Sequence, residues 1–582
     1  MRLFINKHQG SFVYGSFALI AIAIHCLFLW HGWLFAANDM QFHLHEINEL
    51  RQNISHGSLN PLIATFAFNN NGNAVISLYP KWPLYLYAFA QMLFKDSIRG
   101  IFIADMIKTF LGLVIAFYSV KSIKKDDLSA YLFALLYMTS NMVLAYDYQT
   151  MDIGVMWSLI WIPLVFAGFY QWLKTGKWVG LAIGLSGILL SHILTFVIVL
   201  FSLVVLTLFN YKVLFSLKRW QSLFKGAVLA GLLSSLTCVP LIYFTLITPV
   251  RYWTPSVPYG LTGTAFKNIF QFFTINNASM YLGLGSLLGI VVSLVNFKRM
   301  SKFQIDLFVL GLLLILLQSQ LIPWKKLADT PLSIIQFPWR LLIIPLVCFS
   351  YLLVVNSIAM IRRLDFHYSP VGIAVIGTVL FVGSALLRSE QFIKSQINTQ
   401  EINYRVVAQR GVPMDQNGQQ IYKVTNEAEY QNLLGYSISW DYYPVKTCNG
   451  TTLPRIMQHQ GFNLANGETI PMSYRPKPDG IYFEFNLTGK RSNIELPFVA
   501  YDHRYQVRLN GKNVSWQISP SGVIQLNHLT SGSYRVDVQY HNSGLKVGMV
   551  VPFIIGVITL LVIFVKPTWL PSGLLNNGKF RH

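Results

Sequence analysis

A chain of 582 residues has the length of three or four soluble domains, but 53% hydrophobic and 12% charged residues, about half the usual charge, exclude that composition class. A mean hydropathy of +0.45 puts most of the chain in lipid. The net charge of +21 would raise nucleic acid as a partner of a soluble protein; here the basic residues gather in short loops between apolar runs, so the charge reports topology and nucleic acid is excluded.

Eleven apolar runs are long enough to cross a bilayer: 12–35, 101–120, 129–146, 153–172, 178–209, 223–246, 281–297, 305–322, 341–361, 371–387 and 547–565. The run 178–209 is too long for one ordinary crossing, and Ser191-His192 interrupts it near its middle, so it reads as two short helices. Basic clusters stand at Arg2/Lys7, Lys121/Lys124/Lys125, Lys174/Lys177, Lys212/Lys218/Arg219/Lys225, Lys298/Arg299/Lys302, Arg362/Arg363 and Lys566/Lys579/Arg581. All fall on one side only if that run crosses twice. The expectation is a polytopic α-helical protein of about twelve crossings in the plasma membrane, surrounded by lipid, with both termini cytoplasmic. Its parts are a transmembrane domain, 1–387, with a first outer loop at 36–100, an extracytoplasmic domain at 388–544, and a last helix with a cytoplasmic tail at 545–582.

A cleaved signal peptide does not fit, because 12–35 exceeds an ordinary signal core and Phe35-Ala36-Ala37 is a poor cleavage site. Of four cysteines, Cys26, Cys238 and Cys348 lie in crossings and Cys448 lies outside, which leaves no outer intrachain disulfide and no cysteine-cluster metal site.

After the first crossing, Asp39, His43 and Glu46 stand at i, i+4 and i+7, one face of a helix. The aromatic stretch opening at Tyr79-Pro80-Lys81-Trp82-Pro83 and reaching Phe94 is too short to span and belongs in the outer interface. In 388–544, short alternating runs punctuated by Gly, Pro, Asn and Asp replace the long apolar ones and read as a β-rich domain, expected to be a sandwich. Its clearest unit is 505–509, a tight turn at Asn510-Gly511, and a returning strand at 514–518. Further strands are expected at 482–487 and 534–540.

Four motifs together carry a resemblance: Asp39 with Phe42-His43, Tyr79-Pro80 with Pro83-Leu84-Tyr85, Leu190-Ser191-His192 with Thr195, and Gln336-Phe337-Pro338-Trp339-Arg340. They look like the bacterial membrane proteins named "6-pyruvoyl-tetrahydropterin synthase related", though nothing in the chain looks like the soluble pterin enzyme. Those proteins resemble the GT-C class of membrane glycosyltransferases, including bacterial enzymes that glycosylate lipoteichoic acid. The likeness in layout covers nearly the whole chain, while Lys81 stands where an uncharged residue is more usual. The resemblance implies a GT-C-like fold. It also implies sugar transfer from a polyprenyl-phosphate donor, at the outer membrane face, to a cell-envelope glycan, teichoic acid or lipid. An acidic residue early in the first outer loop would be essential for activity, and Asp39 matches it. A second acidic site, sometimes metal-binding, is implied between crossings three and four, at Asp147 and Asp152.

Each candidate also has a plainer reading. Asp39 is a base or cation ligand, or the cap of the following helix, two roles that are compatible. His43 and Glu46 with Asp39 suit Mn or Zn, whereas Mg prefers oxygen ligands; otherwise they are solvated helix residues. Asp147 and Asp152 are further ligands, or two turn carboxylates. His192 binds phosphate or protonates a leaving oxygen, or simply hydrogen-bonds at a helix tip. Arg340 opens a crossing at the outer face, against the positive-inside preference, where it clamps donor phosphate or snorkels to headgroups. Asp105 and Lys108, at i and i+3, read as a structural ion pair. Competing function classes are a lipid-linked glycan transporter or flippase without covalent chemistry, and an envelope-binding module, for which twelve crossings are excessive.

The orientation has a direct test. In a cysteine-free background, Asn432→Cys should react with a membrane-impermeant thiol reagent from outside and Ser301→Cys should not. The reverse pattern would invert the topology.

Overall fold

The computed structural model describes residues 2–37, 39–252, 261–274, 280–364, 369–396, 421–435, 437, 441–488 and 492–565. The terminal basic residues Lys566, Lys579 and Arg581, and 397–420 of the expected outer domain, lie outside the described residues. Helix α1 (Arg2–His31) is followed by strand β1 (Leu34–Ala37) and by helices α2 (Met40–Ser55), α3 (Leu84–Phe94), α4 (Ser97–Lys124), α5 (Asp127–Met138) and α6 (Asn141–Ala145). Then come α7 (Ile153–Thr175), α8 (Val179–Leu189), α9 (Ile193–Phe209), α10 (Leu217–Leu233), α11 (Ser235–Ile247), α12 (Gly283–Val295), α13 (Lys302–Leu317), α14 (Ile343–Ile361) and α15 (Pro370–Gln396). After the β-rich domain the chain returns through α16 (Ser543–Phe564).

Among the described residues six helices are long and apolar enough to span a membrane, or eight if two bent pairs each count once. The bends are 41° between α5 and the stretch Asn141–Thr150, and 78° between α10 and α11. The other expected crossings are the shorter helices α8, α9, α12 and α13. With 11 residues, α8 rises roughly 16 Å, about half a hydrocarbon core, so length alone does not fix the count at twelve. The long run does split where Ser191-His192 predicted, between α8 and α9.

Helix α8 lies directly on α7 because the interface has no side chain at its tightest point. A Cβ on Gly168 would come within 2.2 Å of the Leu181 backbone nitrogen. At the outer end a Cβ on Gly154 would meet the Tyr79 hydroxyl at 2.5 Å and the Ser191 carbonyl at 3.0 Å. This close approach brings the α8–α9 tip to the head of α7.

The β-rich domain is a sandwich of two five-stranded antiparallel sheets, ordered β10-β11-β7-β3-β4 and β5-β6-β12-β8-β9. Their strands are β3 (Gln460–Asn463), β4 (Thr469–Pro471), β5 (Ser473–Lys477), β6 (Gly480–Leu487), β7 (Ser492–Val499), β8 (Tyr505–Leu509), β9 (Lys512–Asn513), β10 (Gln517–Ile518), β11 (Val523–Leu529) and β12 (Gly532–Tyr540). The alternation that predicted β6 and β12 buries Ile481, Phe483, Phe485, Val536 and Val538 against Ile494, Leu496, Phe498, Ile524 and Leu526 of the facing sheet. Asn510-Gly511 makes its turn with φ of 49° and 83°. The returning strand differs from expectation: only Lys512–Asn513 pairs back to β8, and Gln517–Ile518 crosses to the other sheet beside β11. Trp516 marks the crossover, its indole N–H held by the Tyr505 carbonyl at 3.0 Å.

Sheet and bundle share contacts that the sequence did not announce. Strand β1 pairs antiparallel with β2 (Ile421–Val424). Asp479, in the β5–β6 turn, accepts the backbone N–H groups of Leu62 at 2.6 Å and Ile63 at 3.1 Å, and pairs with Lys546 of α16 at 2.9 Å. Glu49 of α2 accepts from the N–H groups of Thr65, Phe66 and Ala67 at 2.7–3.0 Å. The segment 56–83, expected in the first outer loop, is therefore a largely buried layer between bundle and sandwich.

One expected pair is re-partnered. Lys108 of α4 pairs with Asp147, while Asp105 accepts the Tyr87 hydroxyl at 2.6 Å. The cause is a π-helical segment, Tyr146–Thr150, which turns Asp147 inward onto Lys108. Both members are buried. Lys108→Met should therefore cost about 3–5 kcal/mol by stranding the carboxylate, and adding Asp147→Leu should recover most of it, as read from thermal unfolding in detergent. Equal losses in the single and double variants would overturn this pairing.

Candidate active site

The β1–β2 ladder delivers the chain to Asp39 at the head of α2. Asp39 occupies the N-cap position with helical φ and ψ of −82° and −5°, and its side chain makes no capping hydrogen bond. Asp39 is solvent-accessible yet closely surrounded by protein atoms. That setting raises its pKa, chiefly by desolvation and next by the charge of Asp152, with His43 and Arg340 opposing.

One turn on, the predicted helical face is realised. His43 Nδ1 lies 2.9 Å from Glu46 Oε2, and its Nε2 lies 3.5 Å from Asp152 Oδ1. Burial alone would lower the imidazole's pKa, but the hydrogen bonds to Asp152 and Glu46 outweigh it and push it up to about 10. His43 is an imidazolium that donates from both nitrogens. Asp152 caps α7 by accepting the Val155 N–H at 3.1 Å. Burial would raise its pKa, yet the hydrogen bond from His43, with the charges of His43 and Arg340, brings it well below the ordinary range. Glu46 keeps one buried oxygen without a hydrogen-bond partner and is pushed up by burial, so Asp152 is the carboxylate that balances His43.

His192 caps α9 through Nδ1, which accepts the Thr195 N–H at 3.2 Å and lies 2.8 Å from its hydroxyl. An accepting Nδ1 leaves the ring proton on Nε2, a donor. Arg340 sits in the 3₁₀ turn Pro338–Leu342 that leads into α14. Its guanidinium donates to the Gln336 side-chain carbonyl and lies 5.3 Å from the Phe337 ring. Between these two, Tyr146, Val155, Thr195 and Ile343 line a small cleft. Tyr79 stands centrally, its ring 5.7 Å from His43, 6.1 Å from His192 and 6.4 Å from Tyr442.

Of the residues singled out in the sequence, Asp39, His43, Glu46, Asp152, His192 and Arg340 meet here. Asp147 does not; it is buried against Lys108. The donor set does not fit a metal as arranged: both His43 nitrogens are engaged by carboxylates, and among the described residues no three His, Cys, Asp or Glu side chains converge on one point. Asp441 and Tyr442 were missed. Asp441 is raised to about 6 by burial, with Arg251 opposing and the charge of Asp39 adding. The signal available for them was the acid-aromatic run Asp441-Tyr442-Tyr443-Pro444 inside a domain otherwise made of alternating strands.

No protein-family model matches the chain, so the likeness to the pterin-synthase-related membrane proteins rests on the motifs alone. No curated protein matches it. Among solved structures, ArnT from Cupriavidus metallidurans bound to undecaprenyl phosphate is similar at 13% identity and a TM-score of 0.39, over 66% of this chain and 75% of that one. The apo oligosaccharyltransferase of Archaeoglobus fulgidus is similar at 15% and 0.38, over 71% and 61%. The arabinofuranosyltransferase AftD from Mycobacteria is similar at 13% and 0.40, over 67% of this chain and 27% of that one. All three are GT-C glycosyltransferases. At these scores the likeness carries no argument about reaction or substrate, which must come from the side chains.

The His43 bridge has a pH signature. Its pKa is raised from 6.5 to about 10, so its stabilisation is complete below pH 6.5 and is lost as pH rises through about 10. The thermal-unfolding advantage of wild type over His43→Gln should shrink across that window. A constant difference would remove the imidazolium bridge.

Proposed function

We propose that the chain is a membrane glycosyltransferase that moves a sugar from a polyprenyl-phosphate donor to a cell-envelope acceptor at the outer face of the plasma membrane, with both termini cytoplasmic. What supports the reading is an uncapped, accessible aspartate, Asp39, whose basicity is raised above that of an ordinary aspartate and which feels the charge of Arg340, while Arg340 and His192 line one small cleft. Asp39 takes the acceptor hydroxyl's proton as that oxygen attacks the sugar's anomeric carbon. The carbon–oxygen bond to phosphate breaks, its electron pair leaving on the polyprenyl phosphate, with inversion at carbon. Arg340 supplies a planar fork of donors to the departing phosphate, and His192 supplies one more. The Glu46–His43–Asp152 chain holds its shape behind the base, its cation tempering the repulsion between Asp39 and Asp152.

A flippase needs phosphate contacts but no base, so the test is a covalent product. Purified protein in nanodiscs, given extracted polyprenyl-phosphate sugars and cell envelope, should transfer label. Asp39→Asn should abolish transfer with near-wild-type stability, and Arg340→Lys should lower kcat/KM for the donor by about one to two orders of magnitude, equivalent to roughly 1.5–3 kcal/mol. Transfer within a few-fold of wild type in Asp39→Asn would reject the base, and unchanged donor kinetics in Arg340→Lys would reject the clamp.

A further inference from the structure

Between α13 and α14 the chain makes three 3₁₀ turns, Trp324–Leu327, Pro331–Ile335 and Pro338–Leu342, the last of which carries Arg340. None is long enough to cross a bilayer. The segment is fastened at both ends. The Gln318 carbonyl accepts the Thr264 N–H at 3.2 Å, the Gln320 N–H donates to the Thr264 carbonyl at 2.9 Å, and the Gln336 carbonyl accepts the Leu261 N–H at 2.9 Å. The indole N–H of buried Trp324 donates to the Leu317 carbonyl at 2.9 Å. Thr330 caps the second turn, its hydroxyl oxygen accepting the Leu332 N–H at 3.3 Å and donating to the Leu327 carbonyl at 2.7 Å.

This fixed backbone turns apolar side chains outward: Leu321 is 62%, Leu332 48% and Ile334 55% exposed. Single apolar residues scattered on a surface are ordinary, but three large aliphatic side chains held outward by one hydrogen-bonded segment mark a surface with a partner. The partner is read from continuity. On α13, Val309 and Leu316 share one helical face and are 42% and 44% exposed, and Leu321 follows directly after the helix. Lys325 and Lys326 are exposed in the same segment and form no ion pair among the described residues. Aliphatic side chains, a tryptophan and lysines in turns that do not span are the composition of a membrane interface.

We propose that 318–335 docks on the lipid leaflet, with Leu321, Leu332 and Ile334 among acyl chains and Lys325 and Lys326 at headgroup phosphates, and that this docking sets the depth of Arg340. Gln336, whose φ of 60° turns the chain between Ile334 and Arg340, accepts the Arg340 guanidinium through its side-chain oxygen. A polyprenyl phosphate keeps its tail among acyl chains and its phosphate in the headgroup layer, so docking of Leu332 and Ile334 holds Arg340 at the level of that phosphate. The depth role rests on the transferase reading above; the docking itself does not.

The test uses the full chain in phosphatidylcholine nanodiscs. In the cysteine-free background, Leu332→Cys and Ile334→Cys carry an environment-sensitive fluorophore, with Val309→Cys as the lipid-facing reference and exposed Lys512→Cys as the water-facing one. Brominated lipid should quench the labels at 332 and 334 to within about two-fold of the label at 309, and iodide should quench them about three-fold less than the label at 512. Quenching at both positions like that at 512 would overturn the docking. In steady state, Leu332→Ser with Ile334→Ser should raise the donor KM about five-fold or more with kcat within about two-fold, while Leu332→Met with Ile334→Met should match wild type. An unchanged donor KM in the serine variant, folded as judged by thermal unfolding, would overturn the depth role. Lipid quenching at 332 and 334 with no transfer by wild type would support the docking and sink the transferase reading instead.

Discussion

The site depends on a single imidazolium held between two carboxylates. His43 belongs to a loop helix and Asp152 to the head of a bundle helix, and the bond between them fixes one element on the other. A buried charge is costly unless paired, and here each ion solves the other's problem: His43 keeps Asp152 ionised, and Asp152 with Glu46 keeps His43 protonated. The consequence falls on Asp39, one turn before His43. With its neighbours' charges committed to each other, it is the carboxylate left accessible.

Close helix packing makes that arrangement reachable. Because Gly168 and Gly154 carry no Cβ, α8 approaches α7 closely enough for the His192 tip to stand beside Asp152 and Tyr79. The π turn at Tyr146–Thr150 has a matching role. It separates two aspartates that are five residues apart, sending Asp147 to Lys108 and leaving Asp152 to His43. Two acids in one short turn thus have opposite surroundings and different jobs.

The β-rich domain also touches the candidate site, where Tyr442 packs against Phe42 and Tyr79. Asp479 ties the β5–β6 turn to the first outer loop and to α16, Glu49 gathers the N–H groups of that loop, and the pairing of 249–252 with 442–445 closes the junction. Asp479 and the 249–252 ladder join segments far apart in the sequence, whereas Glu49 reaches residues 16–18 positions further on. Such contacts make the loop rigid where an exposed loop would be free, which is what a preorganised site requires.

How much of this was legible follows from the range of each force. Hydrophobic runs, basic loops and period-two alternation are local, so they identified the spanning helices, the split at Ser191-His192, the β-sandwich and the helical face of Asp39, His43 and Glu46. Arg340 drew attention because, in the expected topology, its position opposes the charge rule. The partners were not legible. The i, i+3 spacing paired Lys108 with Asp105, whereas a π turn gave it Asp147; the strand after Asn510-Gly511 belonged half to another sheet; and Tyr442 reached Phe42 and Tyr79 only through a junction with the segment around Arg251. The sequence determined which residues are apolar, charged or turn-forming. Tertiary structure alone decided which buried charges meet, because the desolvation that makes their pairing obligatory exists only once the chain is packed.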